Sequence, residues 1–124
     1  TRWLLAHQGF IVISIGYRKA PKNPWPAQLE SLADALLWVR KNYGKRPDLP
    51  AKLASSAPGS FPLFMIGASA GSHVGACFSL IEALLRCGTA ERVPSMLRRP
   101  VERNIAAGAT PQVLCCVNLA AAFL

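Results

Sequence analysis

Residues 61–76 read Phe61-Pro62-Leu63-Phe64-Met65-Ile66-Gly67-Ala68-Ser69-Ala70-Gly71-Ser72-His73-Val74-Gly75-Ala76, and this stretch decides the fold. One apolar run ends at a turn of small residues and a second begins after it, which predicts a buried strand followed by a helix. Gly67, Ser69 and Gly71 form a Gly-x-Ser-x-Gly pattern, typical of a nucleophile elbow with the serine hydroxyl at the bend. We expect glycine at both flanking positions because a Cβ atom would clash with the crowded turn.

Other segments extend this unit into an alternation of helices and strands. Residues 10–15 are apolar on both faces, as expected for a parallel strand covered by helices. Apolar residues at alternating steps of three and four predict an amphipathic helix over residues 26–43. With helices over 2–8 and 70–85 and strands over 63–66 and 113–117, the order is helix, strand, helix, strand, helix, strand. The predicted fold class is α/β, with three parallel strands and flanking helices.

Three connections are less regular. Residues 16–26 carry three prolines, which exclude regular structure up to the first turn of the next helix. Residues 45–60 carry three more and end in Ser-Ser-Ala-Pro-Gly-Ser, which predicts a surface loop inserted into the domain. Residues 86–111 show no sustained period, and short helical turns at 95–97 or 101–107 stay open alternatives.

Composition suggests the interior of something larger. The chain has 124 residues, of which 52% are hydrophobic and only 16% charged, so it is rich in core and poor in surface residues. It begins within an apolar helical pattern and ends on the apolar run from Val113 to Leu124, which is too short to cross a bilayer. We therefore expect residues 1–124 to be a central fragment of a single domain.

The net charge of +8 does not by itself indicate a nucleic-acid partner. Fourteen Lys and Arg residues oppose six Asp and Glu, but they are dispersed and no nucleic-acid motif accompanies them. We interpret them as a solvated surface. Four cysteines lack the spacing of a zinc site or redox pair and are predicted to be small buried hydrophobes, which favours a reducing compartment only slightly: Cys77, Cys87, Cys115 and Cys116.

Three motifs stand in order between residues 2 and 86. They read Phe10-Ile-Val-Ile-Ser-Ile-Gly-Tyr17-Arg18-Lys-Ala-Pro21, Pro24-Trp25-Pro26-Ala27-Gln28-Leu29-Glu30 and Gly67-Ala-Ser69-Ala-Gly71-Ser-His73. Together they resemble the central part of an α/β-hydrolase, closest to the hormone-sensitive-lipase-like and acetyl-esterase-like carboxylesterases. The chain departs from that pattern at Gly16 and Ser31, where the family often has Asp, and at Ser72, where a second Gly is common.

The resemblance implies a serine esterase acting on small-molecule carboxylic esters, with no cofactor and no metal. Ser69 would be the nucleophile, the backbone N–H of Ala70 one donor of the oxyanion hole, and Gly67 and Gly71 the glycines of the elbow. The family's oxyanion loop would lie upstream of Thr1, and its acid and histidine downstream of Leu124. Tyr17 and Arg18 would mainly brace loops.

The chain itself offers no convincing base. His73 lies four residues after Ser69 inside the predicted helix, so we interpret it as a structural or pocket-lining residue, and His7 as a helix-end residue. Three acids follow Ser69, none with a histidine after it: Glu82, Glu91 and Glu102. We expect the isolated piece to be inactive and poorly soluble, because its sheet edges and apolar faces would be uncovered.

Three alternatives remain. The small residues could merely permit a tight strand-to-helix turn. A phosphate-binding loop fits less well, because the turn lacks the lysine and the glycine spacing of a P-loop. Finally, the gene product could be a non-catalytic α/β-hydrolase-like binding protein, or a truncated product that never acquires a base.

Overall fold

A computed structural model describes residues 6–8, 10–42, 63–107 and 113–119 of the chain. After a helical end at residues 6 and 7, the elements are α1 (Ala27–Asn42), β1 (Leu63–Ala68), α2 (Ala70–Arg86), a 3-10 turn (Ala90–Arg92), α3 (Ser95–Ala106) and β2 (Val113–Leu119). The predicted loop insertion at 45–60 lies outside the described residues.

The two strands form a parallel pair. Gly67 of β1 stands opposite Asn118 of β2, and Ala68 opposite Leu119, with one irregularity in the register between Leu63 and Met65. Helix α2 packs against both strands, so β1, α2, α3 and β2 form a crossover unit. Each strand was predicted, and each extends two residues further than the sequence pattern indicates.

The hydrophobic core lies where α1, α2 and α3 meet. The predicted helix over 26–43 is confirmed, within one residue at each end, as α1. Its buried stripe follows the i, i+3, i+4 spacing that gives a helix one apolar face. The core residues of the three helices and the connection before α3 are Leu29, Leu32, Ala33, Leu36, Val74, Phe78, Ile81, Val93 and Val101.

The predicted strand at residues 10–15 is wrong for the described structure. Residues 10–19 have no regular secondary structure, and Phe10, Ile11, Val12, Ile13 and Ile15 expose between 37% and 48% of their surface. Phe10 does contact β1, through an edge-to-face pairing with Phe64 at 6.1 Å between ring centroids. A strand needs a hydrogen-bonded neighbour as well as an apolar sequence, and the described residues supply no such neighbour. Within the described residues the sheet therefore has two strands, and the predicted third is not confirmed.

The connection between α2 and β2 is more ordered than the sequence indicated. In place of two separate short turns, one helix runs through Ser95–Ala106, with Pro100 in its interior. Pro100, Val101 and Asn104 are buried, because α3 packs against both α1 and α2. Burial of this face offsets the hydrogen bond that the proline removes from the helix.

Helix α2 is less enclosed than its apolar sequence predicted. Val74, Phe78 and Ile81 are buried, but Leu80 on another face is 62% exposed. Among the described residues, no helix is long and apolar enough to cross a membrane.

Candidate active site

Ser69 occupies the sharp turn between β1, which ends at Ala68, and α2, which begins at Ala70. Its backbone has φ 50° and ψ −123°, and within the described part of the chain it is the one residue other than glycine with a positive φ. This conformation is strained for a residue that carries a Cβ atom. Backbone strain of this kind is concentrated at functional sites, so it indicates a turn whose conformation serves a function.

The carbonyl oxygen of Ser69 accepts hydrogen bonds, whereas its side chain does not cap the helix. Its side chain makes no capping hydrogen bond to α2, although serine at this position usually caps a helix. Its carbonyl oxygen instead accepts from the backbone N–H groups of Ser72, at 3.0 Å, and His73, at 3.3 Å. Ser69 is an exposed residue, while the backbone of its turn is held by these hydrogen bonds.

Ser72 supplies a third hydrogen bond that the sequence did not reveal. This buried residue donates its Oγ–H to the carbonyl oxygen of Ser69 at 2.6 Å. In the sequence, Ser72 stands out only as a departure from the resembled motif. No sequence pattern predicts this hydrogen bond, because the contact depends on the strained backbone of the turn.

Removing the Ser72 hydroxyl is expected to loosen the turn. Ser72→Ala should lower the free energy of unfolding by about 1 kcal/mol, since one buried hydrogen bond is lost while two N–H donors remain on the same carbonyl. Urea denaturation of the full-length protein measures this difference. An unchanged midpoint would show that the hydroxyl does not brace Ser69.

Gly67 and Gly71 differ in the space that is available for a Cβ atom. A Cβ atom on Gly67 would lie 2.5 Å from the backbone nitrogen of Ser72 and 2.6 Å from the carbonyl carbon of Gly71, which is a severe clash. A Cβ atom on Gly71 would meet nothing within 4 Å among the described residues. The expectation of crowding thus holds at Gly67, whereas at Gly71 no crowding is present among the described residues.

The backbone N–H of Ala70 is the first donor of α2. The four N–H groups at a helix start have no partner within the helix, and no hydrogen bond from this one is present among the described residues. The partial positive charge of the helix end adds to its attraction for an anion. Ala70 therefore carries a donor beside the Ser69 hydroxyl that can meet negative charge.

His73 lies one helical turn beyond Ser69. Its imidazole stands edge-to-face with the indole of Trp25, with 6.4 Å between the ring centroids, and both side chains are exposed. Within the described residues the ring makes no hydrogen bond to the Ser69 hydroxyl.

Two of the three acids that follow Ser69 form ion pairs within their own helices, and the third, Glu91, is exposed in the 3-10 turn. Glu82 is buried, and one of its carboxylate oxygens accepts from Nε and Nη2 of Arg86, at 3.2 and 2.9 Å. Burial lowers the pKa of the neighbouring Arg40 guanidinium, and the Glu82 carboxylate opposes that shift. Glu102 forms an ion pair with Arg98 at 2.9 Å. Both pairs join residues one turn apart on the same helix.

Arg18 ties the proline-rich connection to α1. Its guanidinium donates to Glu30 at 2.6 Å and to the hydroxyl of Ser31 at 3.1 Å, and its backbone N–H also donates to that hydroxyl. The Ser31 hydroxyl thus accepts two hydrogen bonds from Arg18. The contact is what a loop-bracing role requires, and its exposure limits its contribution to stability.

A cleft of about 500 Å³ lies between α1 and α3. Its charged lining residues are Arg18, Glu30, Asp34, Arg99 and Arg103. One ion pair joins the two helices, between Arg103 and Asp34, and a second lies in the lining, between Arg18 and Glu30. No residue from Gly67 to Gly71 lines it, so this cleft is separate from the serine turn.

Of the cysteines, Cys77 is half-buried and Cys87 is exposed, so the prediction of buried hydrophobes is wrong for Cys87. The side chains of Cys115 and Cys116 lie outside the described residues. In the described ranges, no group of His, Cys, Asp and Glu is arranged to hold a metal ion.

Burial raises the pKa of the Cys77 thiol. Because the thiolate is the reactive form, a raised pKa leaves less of it at neutral pH, so iodoacetamide should modify Cys77 more slowly than exposed Cys87. Peptide mapping of the native full-length protein at pH 7.5 measures both rates. In denaturant the difference should disappear; equal native rates would contradict the burial of Cys77.

The chain was also compared with known proteins. A family model described as alpha/beta hydrolase fold matches residues 2–95, which is most of the chain and includes the whole serine turn. The chain belongs to this alpha/beta hydrolase family. No solved structure matches it significantly.

Its curated relatives include named esterases. Esterase LipQ of Mycobacterium tuberculosis is 35% identical over 75 residues, covering 58% of this chain and 15% of the relative. The probable carboxylic ester hydrolase LipM of the same organism is 40% identical over 58 residues, covering 44% of this chain and 14% of the relative. Probable carboxylesterase 6 of Arabidopsis thaliana is 35% identical over 71 residues, covering 57% and 19%. The chain thus spans less than a fifth of the length of each of these relatives.

Proposed function

We propose that this alpha/beta hydrolase chain carries the nucleophile of a serine carboxylesterase, and that the nucleophile is Ser69. The observation that carries the proposal is the backbone of Ser69, which has a positive φ between β1 and α2, while the residue is exposed and its side chain forms no cap. A strained strand-to-helix turn of this kind presents a serine for attack. Two of the relatives are named as an esterase and a probable carboxylic ester hydrolase, which supports ester chemistry in particular.

In the proposed reaction, Oγ of Ser69 bonds to the ester carbonyl carbon as a histidine takes its proton. The carbonyl oxygen becomes an oxyanion, which accepts a hydrogen bond from the Ala70 N–H at the start of α2. Collapse of this intermediate breaks the bond to the alcohol, which leaves with the histidine's proton. Water then hydrolyses the acyl-serine by the same steps. The chemistry requires no cofactor or metal.

The base and its acid partner are proposed to come from outside residues 1–124, which would form a central part of a single hydrolase domain. Two histidines occur in the chain. His7 precedes the apolar run at 10–15. His73, on α2, stands edge-to-face with Trp25. Glu82 and Glu102 pair with arginines. These engagements support a base and an acid from elsewhere in the protein.

Labelling of the full-length protein by a fluorophosphonate probe tests the proposal. Ser69→Ala should abolish labelling, whereas Ser79→Ala should not, because the Ser79 hydroxyl only donates to the Gly75 carbonyl further along α2. Full labelling of Ser69→Ala would remove Ser69 as the nucleophile. A wild-type protein that never labels would favour the non-catalytic alternative.

A further inference from the structure

The carbonyl oxygen of Ser69 accepts more hydrogen bonds than the start of α2 requires. Two backbone N–H groups donate to it, from Ser72 at 3.0 Å and from His73 at 3.3 Å. The Ser72 hydroxyl adds a third bond, which at 2.6 Å is the shortest of the three. A carbonyl oxygen has two lone pairs, so the two N–H groups already satisfy it. The hydroxyl bond therefore does more than satisfy a free acceptor.

Two other helix serines show what a helical hydroxyl ordinarily does. Ser31 donates to the Ala27 carbonyl at 2.9 Å and Ser79 to the Gly75 carbonyl at 3.1 Å, each four residues back within its own helix. This bond is a common local arrangement for serine within helices. Ser72 reaches only three residues back, to a carbonyl that precedes the first residue of α2. Its bond therefore acts on the strained turn rather than within the helix.

The Ser72 hydroxyl is held in place by burial and by β1. The residue is only 2% exposed, so bulk water does not compete for its donor. Its backbone nitrogen lies so close to β1 that a Cβ atom on Gly67 would approach it to 2.5 Å. The Ser69 carbonyl, which this donor binds, is therefore fixed relative to the strand.

The Ser69 carbonyl and the Ala70 N–H belong to one peptide unit. This unit is planar and trans, so its oxygen and its N–H point in opposite directions. Fixing the oxygen consequently fixes the direction in which the Ala70 N–H points. Hydrogen bonds accepted by an amide oxygen also polarise the amide and strengthen its N–H as a donor. As the first N–H of α2, this donor has no acceptor within the helix.

We propose that Ser72 is a positioning residue for ester hydrolysis, because its hydroxyl orients and polarises the peptide unit between Ser69 and Ala70 so that the Ala70 N–H meets the oxyanion. This inference rests on the proposed function of Ser69. Ser72 acts through the peptide unit and gives up no proton in the reaction. Its contribution is largest in the transition state, where negative charge on the ester oxygen meets the Ala70 N–H.

Steady-state hydrolysis of p-nitrophenyl acetate by the full-length protein tests this role, with kcat expressed per active site titrated to completion by a fluorophosphonate. Ser72→Ala should lower kcat about tenfold, which is less than the roughly 10²- to 10³-fold cost of a lost oxyanion donor, because the Ala70 N–H itself remains. KM should change less than about twofold, because the bond acts mainly in the transition state. Ser72→Thr keeps a hydroxyl and should retain kcat within about threefold of the wild type.

Inhibition by a trifluoromethyl ketone provides a second readout, since its adduct with Ser69 carries a negative oxygen in the place of the oxyanion. Ser72→Ala should weaken the inhibition by the same factor as it lowers kcat/KM. The matched control is Ser79→Ala, which removes a hydroxyl-to-carbonyl bond from the same helix and leaves the Ser69 peptide unit intact. Its kcat and its inhibition by the ketone should equal those of the wild type.

A purely structural hydroxyl would shift the urea midpoint of Ser72→Ala but leave its kcat per active site and its ketone inhibition at the values of Ser79→Ala, which would overturn the inference. If Ser72→Ala does not fold, Ser72→Cys takes its place, since a thiol is a weaker donor and should also lower kcat. Labelling that persists in Ser69→Ala overturns the proposed nucleophile. Ser69-dependent labelling with an unchanged kcat in the Ser72 variants overturns only the positioning role.

Discussion

Ser69→Ala is expected to lower kcat for ester hydrolysis by about 10⁴-fold or more in the full-length protein, because the variant has no oxygen to form the acyl intermediate. The remaining machinery, including the Ala70 N–H, would still bind and polarise the ester. We therefore expect KM to change much less than kcat. Steady-state kinetics with p-nitrophenyl acetate, corrected for spontaneous hydrolysis, measures both constants.

The control for this experiment is Ser79→Ala, which removes a hydroxyl from the same helix without touching the turn. Its hydroxyl donates to the Gly75 carbonyl at 3.1 Å, so wild-type turnover is expected. Ser69→Ala with turnover near that of Ser79→Ala would contradict the proposed nucleophile. It would also leave the strain at Ser69 without a catalytic reason.

Gly67→Ala is expected to destabilise the protein severely, by about 3 kcal/mol or more, because the added methyl overlaps backbone rather than a movable side chain. Its Cβ would lie 2.5 Å from the Ser72 nitrogen and 2.6 Å from both the Gly71 carbonyl carbon and the Ser72 Cα. Relief requires β1 and the first turn of α2 to separate. That movement would also displace Ser69, so labelling should fall together with stability.

Gly71→Ala is the matched comparison. Its new methyl meets nothing within 4 Å in the described residues, and alanine favours a helix over glycine by up to about 1 kcal/mol. The urea midpoint of Gly71→Ala should therefore stay close to that of the wild type, or exceed it. A stable Gly67→Ala beside an unstable Gly71→Ala would refute the packing described for the turn.

Local patterns in the sequence predicted the local structure well. The apolar spacing of Leu29, Leu32 and Leu36 defined α1, and the small residues between two apolar runs defined the turn at Ser69. Each of these signals acts over a few residues, where periodicity and steric crowding decide the backbone. The family resemblance was also visible in the motifs and is confirmed by the family match.

Two features that depend on distant partners were not predicted. Residues 10–15 have a strand-like sequence, but pairing depends on a neighbouring backbone that no local pattern specifies. Residues 86–111 show no sustained period, yet α3 forms over Ser95–Ala106, because its burial against α1 and α2 overrides the unfavourable proline in its interior.

Within the candidate site, chemistry was easier to predict than contacts. Ser69 and Ala70 follow from the motif. The hydrogen bond from Ser72 and the contact between Trp25 and His73 depend on how the turn and the proline-rich connection are placed in space. Trp25 is 48 residues before His73, so no spacing rule relates them.

The most direct test of the account is to locate the adduct formed by a fluorophosphonate on the full-length protein. Intact mass should show a single phosphonyl group, and peptide sequencing by mass spectrometry should place it on Ser69, within the peptide that also contains Ser72. The predicted result is an adduct on Ser69 in the native protein. Protein that was heat-denatured before the reaction should carry no adduct. An adduct on Ser72, or on a residue outside this turn, would contradict the assignment of Ser69 as the nucleophile.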